Sequence, residues 1–118
     1  MAYCWKMAEA VTRFPCPYLN GEVELTAERE QHIADNHPDL LPEYRSGITE
    51  TLLGPDEIRR SRQFSNALLF SKRYEDALGG KNIVIVVMTG ADSNDRHWII
   101  TAYLARKLAG GETIWNKN

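Results

Sequence analysis

Ile83-Val84-Ile85-Val86-Val87-Met88 is the stretch on which the fold turns. It is a short apolar run rich in β-branched residues, which reads as a strand. Neighbouring side chains of an extended chain point to opposite faces, so a strand apolar at every position is covered on both sides. It therefore belongs at the centre of a sheet. It is also far too short to cross a bilayer.

The flanks of this strand alternate instead. In Ala67–Tyr74, residues Leu68, Phe70, Lys72 and Tyr74 point one way, and Leu69, Ser71, Arg73 and Glu75 the other. Downstream, a polar loop at 91–95 leads to His97–Ala105, where Trp98, Ile100, Ala102 and Leu104 make an apolar face. His97, Ile99, Thr101, Tyr103 and Ala105 make a mixed one. A further strand over Glu57–Phe64 turns at Ser65-Asn66, Gly79-Gly80 makes the next break, and Gly110-Gly111 precedes a last short piece with Ile114 and Trp115. Links this short join antiparallel neighbours, because parallel ones need long crossovers.

Upstream the pattern is helical. Asn20-Gly21 is a tight-turn signal ahead of the alternating Glu22–Leu25, and Thr26 has the chemistry of an N-cap. Ala27–Asn36 then reads as a helix that Pro38 ends, since helical geometry is disfavoured before proline. A second helix is expected over Glu43–Leu53, closed by Gly54-Pro55. Helices first and strands afterwards is the α+β order. The expected architecture is N-terminal helices on a four-stranded or slightly larger antiparallel sheet. Residues 1–17 are expected to be a lead-in, loose or helical, and 18–118 a single domain.

A chain of 118 residues can bury one core without staples. The N-terminus has no basic leader followed by an apolar run, so Cys4 and Cys16 are expected as free thiols in a cytoplasmic protein. A net charge of −2 argues against indiscriminate coating of nucleic acid. The charge is graded, however. From Ile58 to Tyr74 the residues Arg59, Arg60, Arg62, Lys72 and Arg73 occur with no acid among them. Such a stripe suits an anionic substrate, and equally a solvated strand face.

Reactive groups are few. They are His32 and His37 near the end of the first helix, the basic stripe, and Thr101 with Tyr103. Cleaving RNA without a metal needs a base for the 2′-OH, an acid for the leaving 5′ oxygen, and cations for the charge building on phosphorus. Histidine titrates near neutrality, and arginine binds two phosphate oxygens without losing its charge. His32 and His37 are five residues apart, about 140° around a helix, so they do not share a face. His37 could instead satisfy the helix carbonyls. No metal-ligand spacing, glycine-rich phosphate loop or cofactor motif is present.

The run Leu25-Thr26-Ala27-Glu28-Arg29-Glu30-Gln31-His32-Ile33-Ala34-Asp35-Asn36-His37-Pro38-Asp39 resembles the opening helix of small bacterial and phage-linked domains of the barnase–EndoU–colicin–RelE superfamily. Pro55-Asp56-Glu57-Ile58, the basic pair Lys72-Arg73, the strand Ile83–Met88 and Ile100-Thr101-Ala102-Tyr103 follow in that family's order. The resemblance spans about residues 18 to 105. It implies a metal-independent ribonuclease fold, often a toxin or effector, with His37, Arg73, Thr101, Tyr103 and His32 as candidate catalytic groups. Arg60, Arg62 and Lys72 are then candidate RNA-binding groups. No cofactor and no membrane are expected, from the missing ligand spacing and the short apolar runs. The partners expected are RNA, a protein partner or inhibitor, and a second copy of the chain as cover for the mixed sheet face. The other reading is a non-catalytic module that binds RNA or protein through the same face.

Overall fold

A computed structural model of the chain describes residues 11–75, 78–90, 96–108 and 110–117. The elements run β1 (Val11–Cys16), a 3-10 turn (Pro17–Leu19), β2 (Gly21–Thr26), α1 (Ala27–Asn36) and α2 (Arg45–Leu53). They continue with β3 (Glu57–Arg60), β4 (Ala67–Tyr74), β5 (Lys81–Thr89), β6 (His97–Ala105) and β7 (Glu112–Asn116). The strands form one seven-stranded sheet in the order β1-β2-β6-β5-β4-β3-β7. β5, the strand apolar on both faces, is the middle one. The fold is α+β, with both helices on one face.

α1 forms where its cap predicts. The Thr26 hydroxyl accepts the Arg29 N–H at 3.1 Å, and Glu28 and Glu30 sit in the favourable first turn. α2 begins at Arg45 and not at Glu43. Gly47 lets α2 lie close on β5, since an added methyl there would run into Ile83 Cδ1. Ile33, Ile48 and Leu52 from the helices meet Phe70, Ile83, Ile85 and Val87 in one buried core.

Three expectations are corrected. The sheet is larger than four strands and mixed, because β2 pairs parallel with β6 through Val23↔His97 and Glu24↔Trp98. These strands are far apart in sequence, so no short turn fixes their relative direction. Residues 11–16 are not a loose lead-in or a helix but β1, paired with β2 from Val11↔Thr26 to Cys16↔Gly21. Pro15 and Pro17 disguise it. Proline is tolerated because β1 is an edge strand, and Pro15 is exposed there. β3 stops at Arg60, short of Phe64. The Ser61 hydroxyl accepts the N–H groups of Gln63 and Phe64 and turns the chain there.

The faces of β6 also differ from simple alternation. A bulge between Val86 and Val87 in the β5–β6 pairing puts Ile100 out of register. His97 and Ile99 thereby join Ala102 on the core face, and Trp98 moves to the face of Thr101 and Tyr103. His97 is buried, and its Nδ1 accepts the Gly90 N–H at 3.4 Å.

The N-terminal layers are tied together by Arg45. It donates to both carboxylate oxygens of Glu30 at 2.6 and 3.2 Å and to the Thr12 hydroxyl at 3.0 Å. Its guanidinium also lies over the Phe14 ring, 5.6 Å from the centroid. One side chain thus joins α2, α1 and β1. Cys16 is a buried free thiol, and burial pushes its pKa up; Cys4 and the expected loop 91–95 lie outside the described residues. Among the described residues no helix is long and apolar enough to cross a membrane.

Candidate active site on the sheet face opposite the helices

The sheet face away from the helices is built from register rows. One row runs Glu57–Ser71–Val84–Tyr103 across β3, β4, β5 and β6, and the next runs Arg59–Leu69–Val86–Thr101. After β6 the chain crosses this face diagonally to reach β7, which pairs with β3 on the far side. The crossing is fastened by side chains from below. Asn82 Nδ2 donates to the carbonyl oxygens of Ala105 (3.2 Å) and Arg106 (3.5 Å), Arg59 Nη1 to that of Gly110 (2.9 Å), and Arg62 Nη2 to that of Gly111 (3.3 Å). Between the crossing and the sheet lies a pocket of about 110 Å³ lined by Arg59, Leu69, Ser71, Val84, Tyr103 and Lys107, among others.

His37 reaches Tyr103 for a topological reason. Because β2 and β6 run parallel, α1, which continues directly from β2, travels alongside the rest of β6. Its ten residues span about 15 Å, and the five steps from Trp98 to Tyr103 span roughly the same. α1 therefore ends level with Tyr103. The main chain of His37 does the capping, its N–H donating to the Ile33 carbonyl at 2.7 Å. The imidazole is left for the sheet, and its ring centroid lies 6.1 Å from that of Tyr103 at an interplanar angle of 39°. Burial raises the Tyr103 pKa, so its hydroxyl stays protonated at neutral pH and can donate.

The other candidate residues are placed as follows. Thr101 is half-buried on the same face as Tyr103, one row away. Arg73 shares that face but sits one row and two strands from Tyr103, about 12 Å at the backbone. Its guanidinium is exposed and ion-paired with Glu75 at 3.2 Å. His32 is exposed on α1, where it lines a separate open hollow with Glu28, Arg29 and Asp35. Lys72 pairs with Ile83 and so belongs to the helix face, where its Nζ is 3.9 Å from Asp56 Oδ1. Arg60 is exposed at the end of β3 opposite Leu68, and Arg62 is spent on the Gly111 carbonyl.

The stripe that is purely basic in sequence is thus dispersed in space. Its members divide between both faces, and acids just outside the stripe neutralise several of them: Glu57 for Arg59 at 2.9 Å, Asp56 for Lys72, and Glu75 for Arg73. Three pocket residues escape a sequence reading. Ser71 shares the alternation of Arg73 and could be found from register alone. Arg59 stands in the stripe but is distinguished from Arg60 only by its face. Lys107 carries no signal, since only the crossing brings it over the sheet. Among the described residues Lys107 has no ion pair. Nor, among the described residues, do three His, Cys, Asp or Glu side chains converge as a metal-binding group.

Comparisons with protein-family models, with curated proteins and with solved structures returned no match.

Proposed function

We propose that the chain is a metal-independent endoribonuclease, cleaving RNA by attack of a 2′-OH on the adjacent phosphodiester to leave a 2′,3′-cyclic phosphate. The observation that carries this reading is the His37 imidazole beside Tyr103, which itself lines a pocket with Arg59 and Lys107. His37 takes the 2′-OH proton, the general-base role for which an imidazole is suited. Tyr103, kept protonated by burial, donates to the phosphate or to the departing 5′ oxygen. Lys107 and Arg59 balance the charge that builds on phosphorus. In this reading the clamp is Arg59 with Lys107, which line the pocket, and Arg73, one row and two strands from Tyr103, stands outside it. The resemblance of the His37-Pro38 and Ile100–Tyr103 segments to toxin- and effector-like ribonuclease domains supports the same reading.

One observation favours the alternative, a non-catalytic module that binds RNA or a protein. The Arg59 guanidinium already bonds Glu57 and the Gly110 carbonyl. End-group analysis separates the two readings. Purified protein should cleave RNA in excess chelator and leave 2′,3′-cyclic ends. Binding without cleavage on every RNA tried would favour the module, and cleavage abolished by chelator and restored by a divalent ion would exclude the proposed chemistry.

A further inference from the structure

Trp98 is a large aromatic side chain left 44% exposed, on the same sheet face as the pocket. The bulge at Ile100 puts it there, where simple alternation would have buried it with the helices. Its neighbours across the sheet are Met88 on β5 and Glu24 on β2. Beyond it two guanidiniums share one carboxylate: Arg96 Nη2 lies 2.7 Å from Glu24 Oε1 and Arg13 Nε 3.9 Å from Glu24 Oε2. Both arginines are more than half exposed, at 67% and 56% of the side chain, so the cluster presents excess positive charge beside the indole. Along β6 the face therefore runs from the cations of the pocket through Tyr103 and Thr101 to an exposed indole, and ends in cations again.

Alternation of cations with an exposed aromatic along one track is the chemistry of single-stranded nucleic acid, whose bases stack on π-faces while its phosphates meet Lys and Arg. We propose that Trp98 is a base-stacking subsite for single-stranded RNA, with Arg13 and Arg96 on the adjoining backbone. This rests on the ribonuclease reading of the pocket. Trp98 lies about 15 Å along the strand from Tyr103, beyond the nucleotides that flank the scissile phosphate. A duplex keeps its bases stacked inside and offers no free π-face to the indole. The site is thus specific for unpaired RNA of more than dinucleotide length.

The test is binding of a non-cleavable 2′-O-methyl hexanucleotide to the full chain, with melting checked by circular dichroism. Trp98→Ala should weaken binding about 10- to 100-fold, and Trp98→Tyr should restore most of it. Trp115→Ala, on the opposite face against Tyr18, should bind like the parent. Unchanged affinity in a folded Trp98→Ala variant would overturn the proposal. So would loss of self-association with RNA affinity intact, which would make the indole a contact between two copies of the chain. Cleavage of unmodified RNA by the parent is read separately. Its absence on every RNA tried would refute the ribonuclease reading and leave the hexanucleotide result to decide the subsite.

Discussion

The crossing over the candidate site puts two adjacent glycines under different constraints, and alanine substitution separates them. Both have left-handed backbones, φ +79° at Gly110 and φ +77° at Gly111. An L-residue in that region costs about 1–2 kcal/mol, so Gly110→Ala, whose new methyl meets nothing within 4 Å, should be destabilised by about that much. At Gly111 the methyl would come 2.8 Å from the backbone oxygen of Arg60 and 3.3 Å from Arg59 Cβ. Neither obstacle is the far end of a flexible side chain. An overpacking cost of roughly 1–3 kcal/mol is added, for a total of about 2–5 kcal/mol. Equilibrium urea denaturation reads the difference at constant m. Gly111→Ala should also disturb the bond from Arg59 to the Gly110 carbonyl, so its effect on the pocket should exceed that of Gly110→Ala. Equal destabilisation of the two variants, or a milder effect at Gly111, would refute the packing of the crossing on β3.

Further outcomes follow from the same geometry. Arg45→Met keeps the contact with Phe14 but abandons Glu30 and Thr12; after allowance for the partly exposed pair, about 1–2 kcal/mol should be lost in urea denaturation. Burial works to raise the Asp56 pKa, but the Arg73 N–H and the Lys117 and Lys72 ammoniums outweigh it and hold the carboxyl below its usual range. Its folded pKa is therefore the lower one, so its contribution is present above about pH 4 and fades as pH falls through the folded value. Asp56→Asn should flatten that acid limb. Arg73→Lys should cleave RNA at close to the parent rate, whereas Arg59→Lys should be strongly impaired, with rates compared under identical salt.

Local chemistry was legible in the sequence wherever one short stretch decides the outcome. Thr26 before Ala27 starts α1, Gly54-Pro55 closes α2, and the unbroken apolar run of β5 marks the middle of the sheet. What escaped depends on partners distant in the chain. Pro15 looks like a breaker until β1 is known to be an edge, and the parallel β2–β6 pair has no local signal at all. The candidate site inherits this division. Tyr103 and Thr101 follow from alternation within one strand, and His37 from the helix end, but their meeting depends on the β2–β6 pairing. The basic stripe misled for a related reason. Alternation sends Arg59 and Lys72 to opposite faces, and acids outside the stripe fold back onto Lys72 and Arg73.

In the proposed ribonuclease reaction the imidazole beside Tyr103 moves protons. Single-turnover cleavage of one RNA by parent and His37→Ala, with folding verified by melting, tests it most directly. The chemical rate should fall by about 10²–10⁴-fold while the melting transition persists. A folded His37→Ala variant that cleaves at the parent rate would contradict it.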